Sequence, residues 1–99
     1  MLIKIGKVVI TRGPQVECTV QGYMGGSIGI RGRVHPDKDL KLIEAELYLL
    51  REGSVQEIEI QTDDGKVLTG LYKINELNWK KERTNENYEL MFNIGLQKQ

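Results

Sequence analysis

A chain of 99 residues is the size of one domain, read here as residues 1–99, with a modest core. Its 14 basic and 14 acidic side chains cancel, which excludes a global field drawing it to nucleic acid or an anionic membrane. The single cysteine, Cys18, excludes an internal disulfide and a cysteine-rich zinc site.

The opening run MLIKIGKVVI is broken by Lys4 and Lys7, too short and too charged for a signal peptide or a membrane span. Its Ile and Val content predicts a strand over residues 2–11. Ile3 and Ile5 fall on odd positions, Val8 and Ile10 on even ones. That change of phase predicts a bulge or bend near Gly6. Thr11-Arg12-Gly13-Pro14 reads as a turn. Val16, Cys18 and Val20 then alternate with Glu17, Thr19 and Gln21, as in a strand over 15–22. Tyr23-Met24-Gly25-Gly26 makes a second turn. A third strand follows, with Ile28, Ile30 and Val34 on one face and Arg31 and Arg33 on the other.

The period changes after Pro36. Leu40, Ile43, Leu47 and Leu50 recur every three or four residues, widened by Leu42 and Leu49. This predicts a helix over about 38–52, with Asp37 or Asp39 at its start and Gly53 at its end. Strands then return. Val55 to Thr62 leads into the hairpin turn Asp63-Asp64-Gly65, and Lys66 to Ile74 runs back. Leu77 and Trp79 continue that strand after a break at Asn75-Glu76. Thr84-Asn85-Glu86-Asn87 is another polar turn. Tyr88, Leu90, Phe92, Ile94 and Leu96 give the cleanest alternation in the chain. The expected class is α+β: six to seven mainly antiparallel strands in a β-sandwich or open barrel, with one helix after the third strand.

Candidate chemistry is sparse. His35 lies near Asp37 and Asp39, yet the sequence has no second histidine and only one cysteine to complete a zinc set. Its place before Pro36 marks a strand-to-helix junction. Cys18 is in phase with Val16 and Val20, as a small buried hydrophobe would be. The glycines at 22, 25, 26, 29 and 32 sit in and around a strand, whereas a phosphate loop is followed directly by a helix. Arg31 and Arg33, with Arg12 nearby, form a basic stripe. Glu57 and Glu59, with Asp63 and Asp64 at the turn, form an acidic one. Trp79 beside Lys80 and Lys81 reads as core or interface packing. These patterns lead to no catalytic residue, no cofactor and no metal. An enzyme would need Glu57, Glu59, His35 or Asp39 to converge in one pocket.

Four segments in order carry a resemblance: "SIGIRGRVHP", the Leu-rich helix ending "LREG", "DDGKVLTGLYKI" and "YELMFNIGLQK". Together they resemble the tail protein U family of contractile-tailed phages. The matching positions are Gly32, Val34 and Pro36, then Gly53, then Gly65, Leu68, Gly70, Tyr72 and Ile74, and last Phe92, Ile94 and Leu96. The match spans residues 13–97, and the wider tail-tube and distal-tail group is adjacent to it. The resemblance implies a structural, tail-tube-like virion protein: a tail or baseplate module forming a homo-oligomeric ring at the tail tube. Its partners would be copies of itself and neighbouring tail-tube or baseplate proteins. It implies assembly in the host cytoplasm, no membrane, and at most DNA passing through a lumen without specific binding. On this reading Arg31, Arg33, Glu57, Glu59, Asp63, Asp64, Met24 and Trp79 are candidate interface residues. The acidic strand would either face a basic neighbour or line the lumen. The alternative is a small β-rich peptide- or protein-binding module outside a virion, using the edge strand 15–22.

Overall fold

The computed structural model of the protein describes residues 1–10, 16–22, 24–35, 38–84 and 87–99. The expected turn at 11–14, the Pro36 and Asp37 positions and the Asn85-Glu86 turn lie outside the described residues, as do the side chains of Met24 and Asp39. The elements are β1 (Leu2–Ile5), β2 (Val8–Val9), β3 (Val16–Gln21), a short 3₁₀ turn (Met24–Gly26), β4 (Ser27–Val34), α1 (Lys38–Leu49), β5 (Val55–Gln61), β6 (Val67–Thr84) and β7 (Asn87–Lys98).

The first 10 residues are a hairpin and not one bulged strand. Ile5 pairs with Val8 across a two-residue turn at Gly6 and Lys7. The reversal explains the change of phase, because both Ile3 and Ile5 on the outgoing arm and Val8 on the return arm are buried. Four strands therefore precede the helix and three follow it.

All seven strands belong to one hydrogen-bonded sheet in the order β2-β1-β5-β6-β7-β4-β3, and every pair is antiparallel. β6 joins its two parts. Residues Val67–Lys73 pair with β5, and Tyr72–Thr84 pair with β7. The break expected at Asn75-Glu76 is a bulge inside this continuous strand, since the register to β7 shifts between Ile74 and Glu76. Before it, Tyr72 and Ile74 point into the core; after it, the odd positions Leu77 and Trp79 do. One extra residue keeps both halves of the strand apolar toward the same side.

α1 covers that side, packing against β2, β4 and β7. Leu40, Ile43, Leu47 and Leu50 are buried beneath it, as the spacing predicts. The helix is shorter than expected and ends at Leu49, with Gly53 beyond it at φ 91°. Leu42 and Leu49 do not widen the buried stripe: they are 51% and 69% exposed. Position 42 is two residues from Leu40 and 49 is two from Leu47, about 200° around the helix, so both project to the outside. Two contacts tie the helix to β6. Lys81 Nζ lies 2.9 Å from the Glu44 carboxylate, and Tyr48 packs edge-on to Trp79 with ring centroids 4.9 Å apart.

The core is aliphatic, with Phe92 the largest fully buried side chain. Phe92 sits opposite Gly32 in the β4–β7 ladder. A Cβ on Gly32 would lie 2.0 Å from Phe92 Cζ, so the ring occupies the space a side chain at 32 would fill. The glycine inside this strand is there for close approach. Gly32→Ala is expected to destabilise the fold by about 1–3 kcal/mol through overpacking, read as a lower urea midpoint. Adding Phe92→Leu should recover part of the loss.

Candidate functional site

The outward side chains of β3, β4 and β7 form a regular array. Glu17, Arg33 and Met91 make one cross-strand row, and Thr19, Arg31 and Asn93 make the next. They line a shallow concavity of about 480 Å3. The basic stripe is therefore embedded in acidic and neutral groups. Arg33 Nε lies 4.0 Å from the Glu89 carboxylate, and its terminal nitrogen lies 3.9 Å from Met91 Sδ.

His35 extends the same array by one row. Val34 pairs with Leu90, so His35 falls beside Glu89. Its Nδ1 is 3.2 Å from Glu89 Oε1 and its Nε2 is 3.3 Å from Glu17 Oε1. Neutral imidazole carries one N–H and can donate to only one of these carboxylates, whereas imidazolium donates to both. The ring joins the end of β4 to both flanking strands. Its partners are not the nearby aspartates that the sequence suggested but two glutamates from strands distant in the chain. Among the described residues no group of three His, Cys, Asp or Glu side chains is placed to hold a metal ion.

The acidic stripe lies on the other part of the sheet, separated from Arg31 and Arg33 by β6 and β7. Glu59 faces Lys4 across the β1–β5 ladder and accepts a 2.8 Å hydrogen bond from Gln61 Nε2. Glu57 is exposed opposite Leu71. Both border an open concavity of about 810 Å3 that also takes in Lys4, Lys7, Gln56 and Leu49. Asp63 and Asp64 are exposed at the expected hairpin turn. Asp63 meets the Met1 amino group at 2.8 Å. The Thr62 hydroxyl donates to Asp64 and holds its carboxyl below the usual range. Glu57 and Glu59 therefore do not converge with His35. The other predicted interface residue, Trp79, is half-buried on the inner face beneath Tyr48.

No family model, curated protein or solved structure matches the chain. What the site offers rests on its own geometry. It is a surface of mixed charge, its acidic and basic groups in cross-strand rows, suited to ion pairing with a complementary surface.

Cys18 packs against the core from β3, and burial pushes its thiol up to about 11. In the unfolded chain the thiol ionises first, near 9.0. The native state then holds the extra proton, so this group's stabilising contribution falls as pH rises from about 9 to about 11. Urea midpoints across that range should drop more steeply for the wild type than for Cys18→Ala.

Proposed function

We propose that the chain is a structural phage protein of the tail or baseplate, one subunit of a homo-oligomeric ring seated at the tail tube. The observation that carries this reading is the second apolar stripe on α1. Leu42 and Leu49 stand one heptad apart on the outward side with Ala45 between them, all three exposed. A monomer gains nothing by holding these leucines in water. Burying each against a neighbour is worth about 1.5–3 kcal/mol. The resemblance to tail protein U over residues 13–97 supplies the setting: neighbouring tail-tube or baseplate proteins, in a virion assembled in the host cytoplasm.

On this reading the sheet, bending at the Asn75 bulge over its single helix, is an open barrel or sandwich of the tail-tube kind. Apolar contacts through α1 hold the assembly. The charged rows at Arg31 and Arg33, and at Glu57 and Glu59 with Asp63 and Asp64 beyond, set orientation. Function is association without chemistry, and DNA passes a lumen without specific binding.

A second reading is favoured by the position of β3. It is an edge strand of the sheet, as a module that binds an extended peptide outside a virion would have.

The variant Leu42→Glu with Leu49→Glu is expected to keep the wild-type circular dichroism spectrum and melting temperature within a few degrees. It should fail to form rings or join tails in electron micrographs of the protein mixed with its neighbouring tail proteins. Leu47→Ala, on the buried stripe, should instead lower stability by about 2–5 kcal/mol. Normal assembly by the double glutamate variant defeats the proposal.

A further inference from the structure

Among the described residues, the large apolar side chains left exposed are Met1, Tyr88 and two groups. One group is Leu42, Tyr48 and Leu49 on the outward side of α1. The other is Val55, Val67 and Leu71 on β5 and β6. In that ladder Ile58, Ile60, Tyr72 and Ile74 are buried. Side chains alternate along a strand, so Val55, Val67 and Leu71 share the face turned away from the core. α1 covers the opposite face. The two groups therefore look out from opposite sides of the domain, and no contact within one copy joins them.

We infer that α1 of one copy seats its outward stripe on the Val55, Leu71 and Val67 strip of a second copy, antiparallel to β6, with Leu42 over Leu71 and Leu49 over Val67. This deepens the ring reading above by naming the contact, and it rests on that reading for its partner.

Three observations converge on it. First, the spacings agree. Leu42 and Leu49 lie two turns apart, about 10 Å along a helix. Val67 and Leu71 lie on one strand, about 13 Å apart at strand rise. The difference is within the reach of leucine side chains. Val55 pairs with Lys73 and Glu57 with Leu71, so Val55 is a diagonal neighbour of Leu71 and widens that end of the strip.

Second, the middle is low on both sides. Ala45 stands between the two leucines and Thr69 between Val67 and Leu71, both exposed. Neither side chain holds the helix off the sheet.

Third, charge sets the direction. Lys41, next to Leu42, is exposed, and so is Glu57, opposite Leu71. With Leu42 at Leu71, Lys41 meets Glu57. With the helix reversed, Lys41 falls at the Val67 end, where the cross-strand neighbour is the neutral Gln61. An ion pair at a rim fixes orientation more than it adds affinity.

The contact joins two different surfaces of the same chain. It is head-to-tail, the kind that closes rings. Three apolar side chains on each copy cover less than the roughly 800 Å2 per partner of a standard interface. A single contact is therefore weak, and the assembly depends on repeating it around the ring.

The test uses forms of the full chain that carry Cys18→Ser and one added cysteine. These are Ala45→Cys, Thr69→Cys and, as a control elsewhere on the outer face, Thr19→Cys. All three positions are exposed, and circular dichroism checks that each form folds. When the Ala45→Cys and Thr69→Cys forms are mixed at the highest soluble concentration and oxidised, a disulfide dimer containing one of each is the expected major product. The Ala45→Cys and Thr19→Cys mixture should give only background. A mixed dimer no more abundant than that background overturns the inference. So does a predominant dimer of two Ala45→Cys chains, which would mean that helix pairs with helix. A second measurement is charge inversion followed by light scattering. Lys41→Glu alone and Glu57→Lys alone should each weaken self-association several-fold, and the two together should restore it. Failure to restore it overturns the pairing. Rings in electron micrographs without the mixed disulfide would sink this contact while sparing the ring reading.

Discussion

β6 serves two ladders in succession, and every other packing relation follows from how it does so. Its first half pairs with β5 and its second with β7, so the two parts of the sheet share one strand. Side chains alternate strictly along a strand. An unbroken β6 with Tyr72 and Ile74 inside would put Leu77 and Trp79 outside. The extra residue near Asn75 resets the alternation, and the second half again faces the core. Trp79 then stands opposite Phe92, Phe92 covers Gly32, and Tyr48 on the helix closes over Trp79.

The helix presents two chemically similar sides to two different environments. The stripe at positions 40, 43, 47 and 50 is buried by the sheet, while Leu42, Ala45 and Leu49 remain in water. Burial of the first stripe gives stability. The second stripe is left largely in water. The core is aliphatic, with no buried polar or charged group among the described residues, and the outer stripe is the feature on which the proposed association rests.

Charge on the outer face is organised by cross-strand register. Glu17, Arg33, His35 and Glu89 are neighbours because β3, β4 and β7 lie side by side. Local neutralisation leaves a patterned surface and no basic field. The rows run from β7 across β4 to Glu17 on β3.

The local elements are legible along the chain. Apolar spacing marked the helix and its buried stripe, Asp-Gly marked the hairpin after β5, and strict alternation marked β7, because each signal depends only on neighbours in the chain. The sequence also placed Glu17, Arg31 and Arg33 on the outer face, out of phase with their apolar neighbours. It misread Gly6, since a change of phase looks alike for a bulge and for a reversal. It also counted Leu42 and Leu49 as core, since hydrophobicity does not say which side of a helix meets the sheet. Strand order and register are visible only in the folded chain. Those alone bring Glu17 and Glu89 to His35 and keep the acidic and basic stripes apart. Pairing between distant strands is a property of the whole sheet, set by how one core is filled, and no single segment carries it.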